Sequence, residues 1–238
     1  MQTLCSALFS AFMIITTMVF STLAVLLLVV PYRLRYAVIK QYGALNIWML
    51  DVLCGLKYTV EGRENIPQET GIILSKHQST WETMGLQQIF PPQTFVVKRE
   101  LLKVPFFGWG LAAMKPIAID RGAGHKAVQQ IVTQGIERLK QGIWIVIFPE
   151  GTRVHPGQKI RYKLGGAILA AKSGYPVIPV ALDSGKYWPK KQFLKKPGTI
   201  HVVIGPPIQT RDRNPDDILA DVEEWIESTM KRIDPQTS

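Results

Sequence analysis

Lys76-His77-Gln78-Ser79-Thr80-Trp81-Glu82 carries an imidazole and, five residues on, a carboxylate. Histidine is the side chain most readily poised as a base near neutral pH. A carboxylate that accepts its Nδ1–H fixes the tautomer and stabilises the imidazolium formed on proton abstraction. An apolar run, Gly71-Ile72-Ile73-Leu74-Ser75, precedes the stretch and reads as a buried strand; a helical segment follows it. The pair therefore falls at a strand-to-helix turn, where α/β folds place functional side chains. A plainer reading stands beside this one. Ser79 at N-cap and Glu82 at N3 fit a capping box, in which Glu82 only closes the helix start and His77 is a loop histidine.

Other polar residues follow other strand-like runs. Lys98 and Glu100 end one run, Arg121 follows Ile117-Ala118-Ile119-Asp120, and Glu150, Gly151, Thr152 and Arg153 follow the apolar run 144–148. Ligands of open α/β sheets bind beyond strand carboxyl ends, so chain order alone predicts that these residues converge with His77 and Glu82. An arginine at such a turn suits a phosphate, whose oxygens a guanidinium forks bidentately. Gly151 would let backbone approach a ligand closely. Singly, each has a bland alternative: Arg153 as a surface turn arginine, Arg121 as the partner of Asp120, Lys98 with still less to distinguish it.

Strands must hold these turns. Apolar or alternating runs at 58–62, 72–75, 94–98, 117–120, 144–148, 177–182 and 199–204 read as strands, with 144–148 and 177–182 buried on both faces. Between them, 80–90 is helical and stops at Pro91-Pro92, and 99–109 is a loop and short helix dense in aromatics. Helix 126–141 carries the stripe Val128, Ile131, Val132, Ile136 and Leu139, and 165–172 is a small-residue helix. The last helix opens at Asn214-Pro215-Asp216-Asp217 and ends near Lys231-Arg232, acids early and bases late as the helix dipole prefers. The expected fold class is α/β: a single domain, 57–238, with a mixed, largely parallel sheet of about seven strands flanked by helices.

Residues 1–56 read as membrane-anchoring helices. The run 4–30 carries no charge and as a helix is about 40 Å long, against about 30 Å for a hydrocarbon core. Without a preceding Lys or Arg, and longer than a typical h-region, it fits a cleaved signal poorly. Arg33, Arg35 and Lys40 follow, and the positive-inside rule then places the rest of the chain on the cytoplasmic side of the inner membrane. The second apolar stretch, 44–56, is too short to span and is expected to pack on the first as an interfacial or re-entrant helix. Sequence leaves open whether the first helix crosses or dips back.

The 238 residues carry a formal net charge of +10, which favours an anionic partner. Segment 153–196 is densely basic, with Asp183 its only acid, and 186–196 interleaves bases with aromatics. That pattern suits an anionic membrane surface or an acidic carrier protein. Nucleic acid is set aside, because a membrane-associated chain accounts for the same charge. Cys5 and Cys54, both in apolar segments, make neither a disulfide framework nor a metal cluster, and no cofactor is expected.

Taken together, four motifs resemble the glycerolipid acyltransferases, most closely the bacterial 1-acylglycerol-3-phosphate type, over 58–207. The first, N/K-H-x-x-x-x-D, reads Lys76-His77 through Glu82. The second resembles Lys98-Arg99-Glu100-Leu101 through Pro105-Phe106-Phe107-Gly108. The third, F-P-E-G-T-R, is intact at Phe148-Pro149-Glu150-Gly151-Thr152-Arg153, and the fourth is similar to Val177-Ile178-Pro179-Val180-Ala181. Glu82 departs from the pattern, since the first motif usually ends in Asp. The resemblance implies acyl transfer from a thioester, acyl-CoA or an acyl-carrier protein, to the free hydroxyl of a lysophospholipid. His77 would act as base and Glu82 would orient it. Glu150, Gly151, Thr152 and Arg153, with Lys98 and Arg121, would hold the acceptor phosphate and glycerol, and backbone around Gly151 would face the oxyanion. Two rivals remain at this level: a serine hydrolase using Ser75 or Ser79, which lacks a G-x-S-x-G elbow, and a membrane-bound basic module without catalysis.

Overall fold

The computed structural model describes residues 1–235. Seven strands form one sheet: β1 (Leu56–Glu61), β2 (Ile72–Ser75), β3 (Gln93–Lys98), β4 (Ile117–Ile119), β5 (Trp144–Ile147), β6 (Val177–Leu182) and β7 (Gly198–Ile204), in the spatial order β1-β7-β6-β2-β5-β3-β4. All neighbours are parallel except β6 and β7. Strands β2 to β6 therefore point one way, and their carboxyl ends share one edge of the sheet. That edge receives every turn the sequence marked for chemistry.

Side chains alternate across the sheet with the period of two that a strand imposes. Ile73, Val146, Ile178 and Val180 face one layer, while Ile72, Leu74, Ile145, Ile147 and Val177 face the other. The second layer is built by α5 (His125–Lys140), α6 (Gly165–Ser173) and α7 (Pro215–Ile233). Helix α7 starts as its sequence dictates: Asn214 accepts the Asp216 N–H at 3.0 Å, Pro215 occupies the first turn, and Ile218, Val222 and Ile226 are buried.

The first layer holds α3 (Trp81–Ile89) together with the N-terminal helices α1 (Gln2–Leu26) and α2 (Tyr32–Cys54). Residues 44–56 do not form the separate short helix expected of them. Residues 44–54 are the second half of α2, which continues unbroken through Arg33, Arg35 and Lys40, and Leu56 already belongs to β1. Charge does not interrupt a helix if the side chains have somewhere to go. Arg35 turns inward and donates to the carbonyls of Leu27, Leu28 and Val30 at 3.3–3.4 Å, tying down the 3-10 turn Leu27–Val29. Buried Asn46 joins the two helices through Thr16 Oγ1 at 3.0 Å.

Nor is residue 56 a packing boundary. Phe9, Ile47, Leu50 and Cys54 share a core with Trp81, Val146 and Val180 of the sheet and its helices. Phe9 is fully buried, edge-on to Trp188 at 5.6 Å. Near it, the Ser6 hydroxyl accepts from the Lys195 N–H and Lys195 Nζ donates to Ser10. At the other end of α1, Ser21 packs so closely on Gly110 of α4 (Phe107–Ala113) that a Cβ there would lie 2.5 Å from its hydroxyl. Helix α1 is thus laid along the α/β body and fastened near both ends. Phe9→Ala is expected to cost about 3 kcal/mol of stability, measured by thermal melts in detergent micelles; unchanged melting would make α1 an appendage rather than part of the core.

Candidate active site

His77 lies two residues past the end of β2, the central strand. Its ring stacks on Phe148 at 3.7 Å between centroids and 11° between planes. Nδ1 is 3.0 Å from Glu82 Oε2. With Nδ1–H donated to that carboxylate, Nε2 is the nitrogen left for a substrate proton. Glu82 has no solvent exposure, and its carboxylate is held from several sides. It accepts the Ser79 N–H at 2.9 and 3.0 Å and the Gln78 N–H at 3.2 Å, and Ser184 donates its hydroxyl to Oε1. The capping box is not formed as expected, because α3 starts at Trp81 with Thr80 at its N-cap; the Glu82 carboxylate still closes the turn into α3 while facing the imidazole. The serine half of the box differs, since Ser79 Oγ accepts from the Trp81 N–H at 3.2 Å.

The turn after β5 grips the His77 backbone. Glu150 Oε2 accepts the His77 N–H at 3.0 Å, and the Val154 N–H donates to the His77 carbonyl at 2.8 Å. Gly151 adopts φ +69°, a left-handed conformation that favours glycine, and its N–H closes onto the Phe148 carbonyl at 2.9 Å. That N–H is thereby occupied within the turn.

A cleft opens beside the imidazole. Its floor is apolar, from Val96, Ile119, Ile131 and Ile147, and Arg121, Lys163 and Gly151 stand around it with Gly165 and Gly166. Those two glycines begin α6, whose first N–H groups have no partner within the helix. Burial lowers the Arg121 pKa and neighbouring Glu100 opposes that shift; a guanidinium remains charged regardless. Other expected residues sit around the rim. Arg153 donates Nη1 to Thr80 Oγ1 at 2.7 Å, Thr152 accepts from Lys190 Nζ at 3.1 Å, and exposed Lys98 pairs with Glu100 at 3.5 Å. Among the described residues, no serine hydroxyl bonds to His77, and no group of three His, Cys, Asp or Glu side chains converges to hold a metal ion.

The family profile described as "Acyltransferase" matches residues 57–183. A 1-acyl-sn-glycerol-3-phosphate acyltransferase of Pseudomonas aeruginosa is 48% identical over 211 residues, 87% of this chain and 82% of the relative. The chain belongs to the 1-acyl-sn-glycerol-3-phosphate acyltransferase family. A mouse enzyme, 1-acyl-sn-glycerol-3-phosphate acyltransferase alpha, is 30% identical over 71% of this chain and 60% of its own. The crystal structure of the 1-acyl-sn-glycerophosphate acyltransferase PlsC from Thermotoga maritima shares the fold, with a TM-score of 0.81 at 23% identity over 98% of this chain and 95% of that one.

Within this acyltransferase, Glu150 does not sit where a substrate ligand would. It is 2% exposed, and its carboxylate faces the His77 N–H and, at 3.3 Å, Lys76 Nζ. Sequence reasoning missed Lys163 and Ser184. Lys163 lies two residues before the helix 165–172 and is legible as a cation at a helix start; Ser184 follows a buried strand, the same signal that marked Arg121.

Glu82→Gln leaves at least one of these donors unmatched. The expected loss is about 1–3 kcal/mol of stability, together with a fall in turnover, read by melts and single-turnover rates. Retention of both would remove the dyad. Burial pushes the Glu150 carboxyl up to about 8 from 4.5, with Lys76 opposing and Glu82 and Glu227 reinforcing. Its contribution to stability is complete below about pH 4.5 and is lost as pH rises through about 8, because the unfolded chain releases that proton earlier. Glu150→Gln keeps an acceptor for the His77 N–H, so melts from pH 5 to 9 should fall less steeply than for wild type. Identical slopes would place Glu150 outside that titration.

Proposed function

We propose that this acyltransferase moves a fatty acyl group from a thioester, acyl-CoA or an acyl-carrier protein, to the free hydroxyl of 1-acylglycerol-3-phosphate, giving phosphatidic acid for phospholipid synthesis. The observation that carries the reading is a carboxylate-oriented imidazole opening into a cleft that also presents Arg121 and Lys163. His77 Nε2 takes the proton of the acceptor hydroxyl, and that oxygen attacks the thioester carbonyl. The tetrahedral intermediate collapses, the C–S bond breaks, and the departing thiolate receives the proton back from His77. No acyl-enzyme forms, because the acceptor supplies the nucleophile. The phosphate lies between Arg121 and Lys163, near the free N–H groups of α6. Arg153 offers its remaining N–H groups from the rim, with Lys98 beyond. Thr152 and Gly151 shape the turn, and Glu150 holds it.

The membrane reading follows from what α1 and its neighbours leave uncovered. Helix α1, continued by its 3-10 turn to Val29, has the length and composition to cross a membrane, yet its attachment to the α/β body lays it along the protein surface. Leu8, Ile15, Val19 and Leu26 remain exposed, as do Trp48 and Val52 on α2 and Phe106, Phe107 and Trp109 near α4. We place this apolar surface in the cytoplasmic face of the inner membrane, where lipid acceptors reach the site without leaving the bilayer. The basic segment 186–196 faces anionic headgroups or an acidic carrier protein.

The deciding assay is thiol release by purified protein with a panel of lysophospholipids and both donors. Turnover with 1-acylglycerol-3-phosphate is expected; turnover only with another acceptor would overturn the substrate. Lys163→Met should raise the acceptor KM by about 10-fold or more, the worth of a charge-assisted hydrogen bond, with kcat changed far less. A rise confined to the donor KM would move Lys163 to the other substrate.

A further inference from the structure

The last helix reaches the catalytic turn through a chain of polar side chains. Lys76, immediately before His77, is 4% exposed and extends between two carboxylates. Its Nζ donates to Glu227 Oε1 of α7 at 2.7 Å and stands 3.3 Å from Glu150 Oε1, whose carboxyl burial pushes toward its protonated form. The other Glu150 oxygen accepts the His77 N–H at 3.0 Å. Tyr162, 3% exposed, donates its hydroxyl to the same Glu227 oxygen at 2.7 Å, so Glu227 is fixed from two directions.

A buried ammonium needs a carboxylate within reach, and a buried carboxylate needs donors. The Lys76 ammonium sits nearer Glu227 than Glu150, 2.7 against 3.3 Å, so its place beside Glu150 is set from α7. With Glu227 taking the short contact, Lys76 is held where Glu150 keeps its grip. Bonds from Lys76 and Tyr162 hold Glu227 ionised despite its burial.

We propose that Glu227 is a positioning residue for catalysis: acting through Lys76 and Glu150, it sets where the His77 backbone, and with it the imidazole, stands against Glu82 and the cleft. Glu227 lies outside residues 57–183, the span that marks the family. Helix α7 thereby contributes to the active centre as well as covering the sheet. The assignment rests on His77 being the base.

The test uses the full-length protein in detergent with Glu227→Gln, Lys76→Met, the double variant and Tyr162→Phe, and Glu224→Gln on the exposed side of α7 as control. The shift of the His77 Nδ1–H proton resonance, which needs no substrate, reads position; kcat and acceptor KM read consequence. Glu227→Gln should displace the resonance and lower kcat by about 10-fold, with acceptor KM within about two-fold, as a small misplacement of a reacting group does. Tyr162→Phe should move both the same way by less, and Glu224→Gln should move neither. In the Lys76→Met background, Glu227→Gln should add little, because both act along one path. An unmoved resonance, an unchanged kcat in an active enzyme, or fully additive losses would overturn the proposal. A resonance that shifts as expected in a protein inactive toward every lysophospholipid would instead overturn the proposed reaction and leave the positioning intact.

Discussion

The Glu82 carboxylate is the interaction on which the candidate site depends. It has no exposure to solvent, so each of its oxygens must find donors inside the protein. It finds them on two parts of the chain: the turn after β2, through backbone N–H groups and the His77 ring, and the Ser184 hydroxyl after β6. Helix start, imidazole orientation and the junction between two strands are therefore fixed by one group. A buried network is stabilising only while every member is satisfied. Here the requirements of folding and of imidazole orientation coincide.

Topology supplies the other half. Because β2 to β6 are mutually parallel, the turns after them meet at one edge although they lie up to a hundred residues apart in sequence. The central pair, β2 and β5, brings His77 beside Phe148 and Glu150. Stacking sets the plane of the ring and the backbone bonds set its depth. The motifs are thus a single clamp rather than separate ligands: the Phe148–Arg153 turn holds the His77 turn, and the cations of the cleft stand around what the two enclose.

Much of this was legible before any coordinates. Runs of buried β-branched and apolar residues located all seven strands, and the caps and charges of 214–232 located α7. His77, Glu82 and Arg121 could be placed at the correct sheet edge from chain order alone. Three features could not. Helix α2 is legible only in its second half, at 44–56, because no periodicity tells that Arg35 turns inward to cap carbonyls of the preceding turn. Glu150 looked like a substrate ligand, because sequence does not show which way a side chain leaves a turn. Glu227 carries no signal, its partner Lys76 lying 151 residues away, and Ser184, although it follows a buried strand, gives no sign of a partner 102 residues away. Long-range polar contacts depend on packing, and packing is what a one-dimensional pattern leaves out.

The glutamate that replaces the family's usual aspartate becomes intelligible in this frame. Trp81, fully buried against Tyr58, anchors the first turn of α3 and fixes where position 82 leaves the helix. From there the side chain must fold back over the turn to meet the Ser79 N–H and also extend to His77 Nδ1. The additional methylene gives that reach, and the Ser184 hydroxyl takes a lone pair on the far side. Lys76 stands at the opposite end of the same short motif, its ammonium directed toward α7. The motif therefore runs between a carboxylate held by Ser184 after β6 and an ammonium held by Glu227 of α7, with the imidazole between them. Shortening either arm alone would pull His77 off the axis that the other still defines.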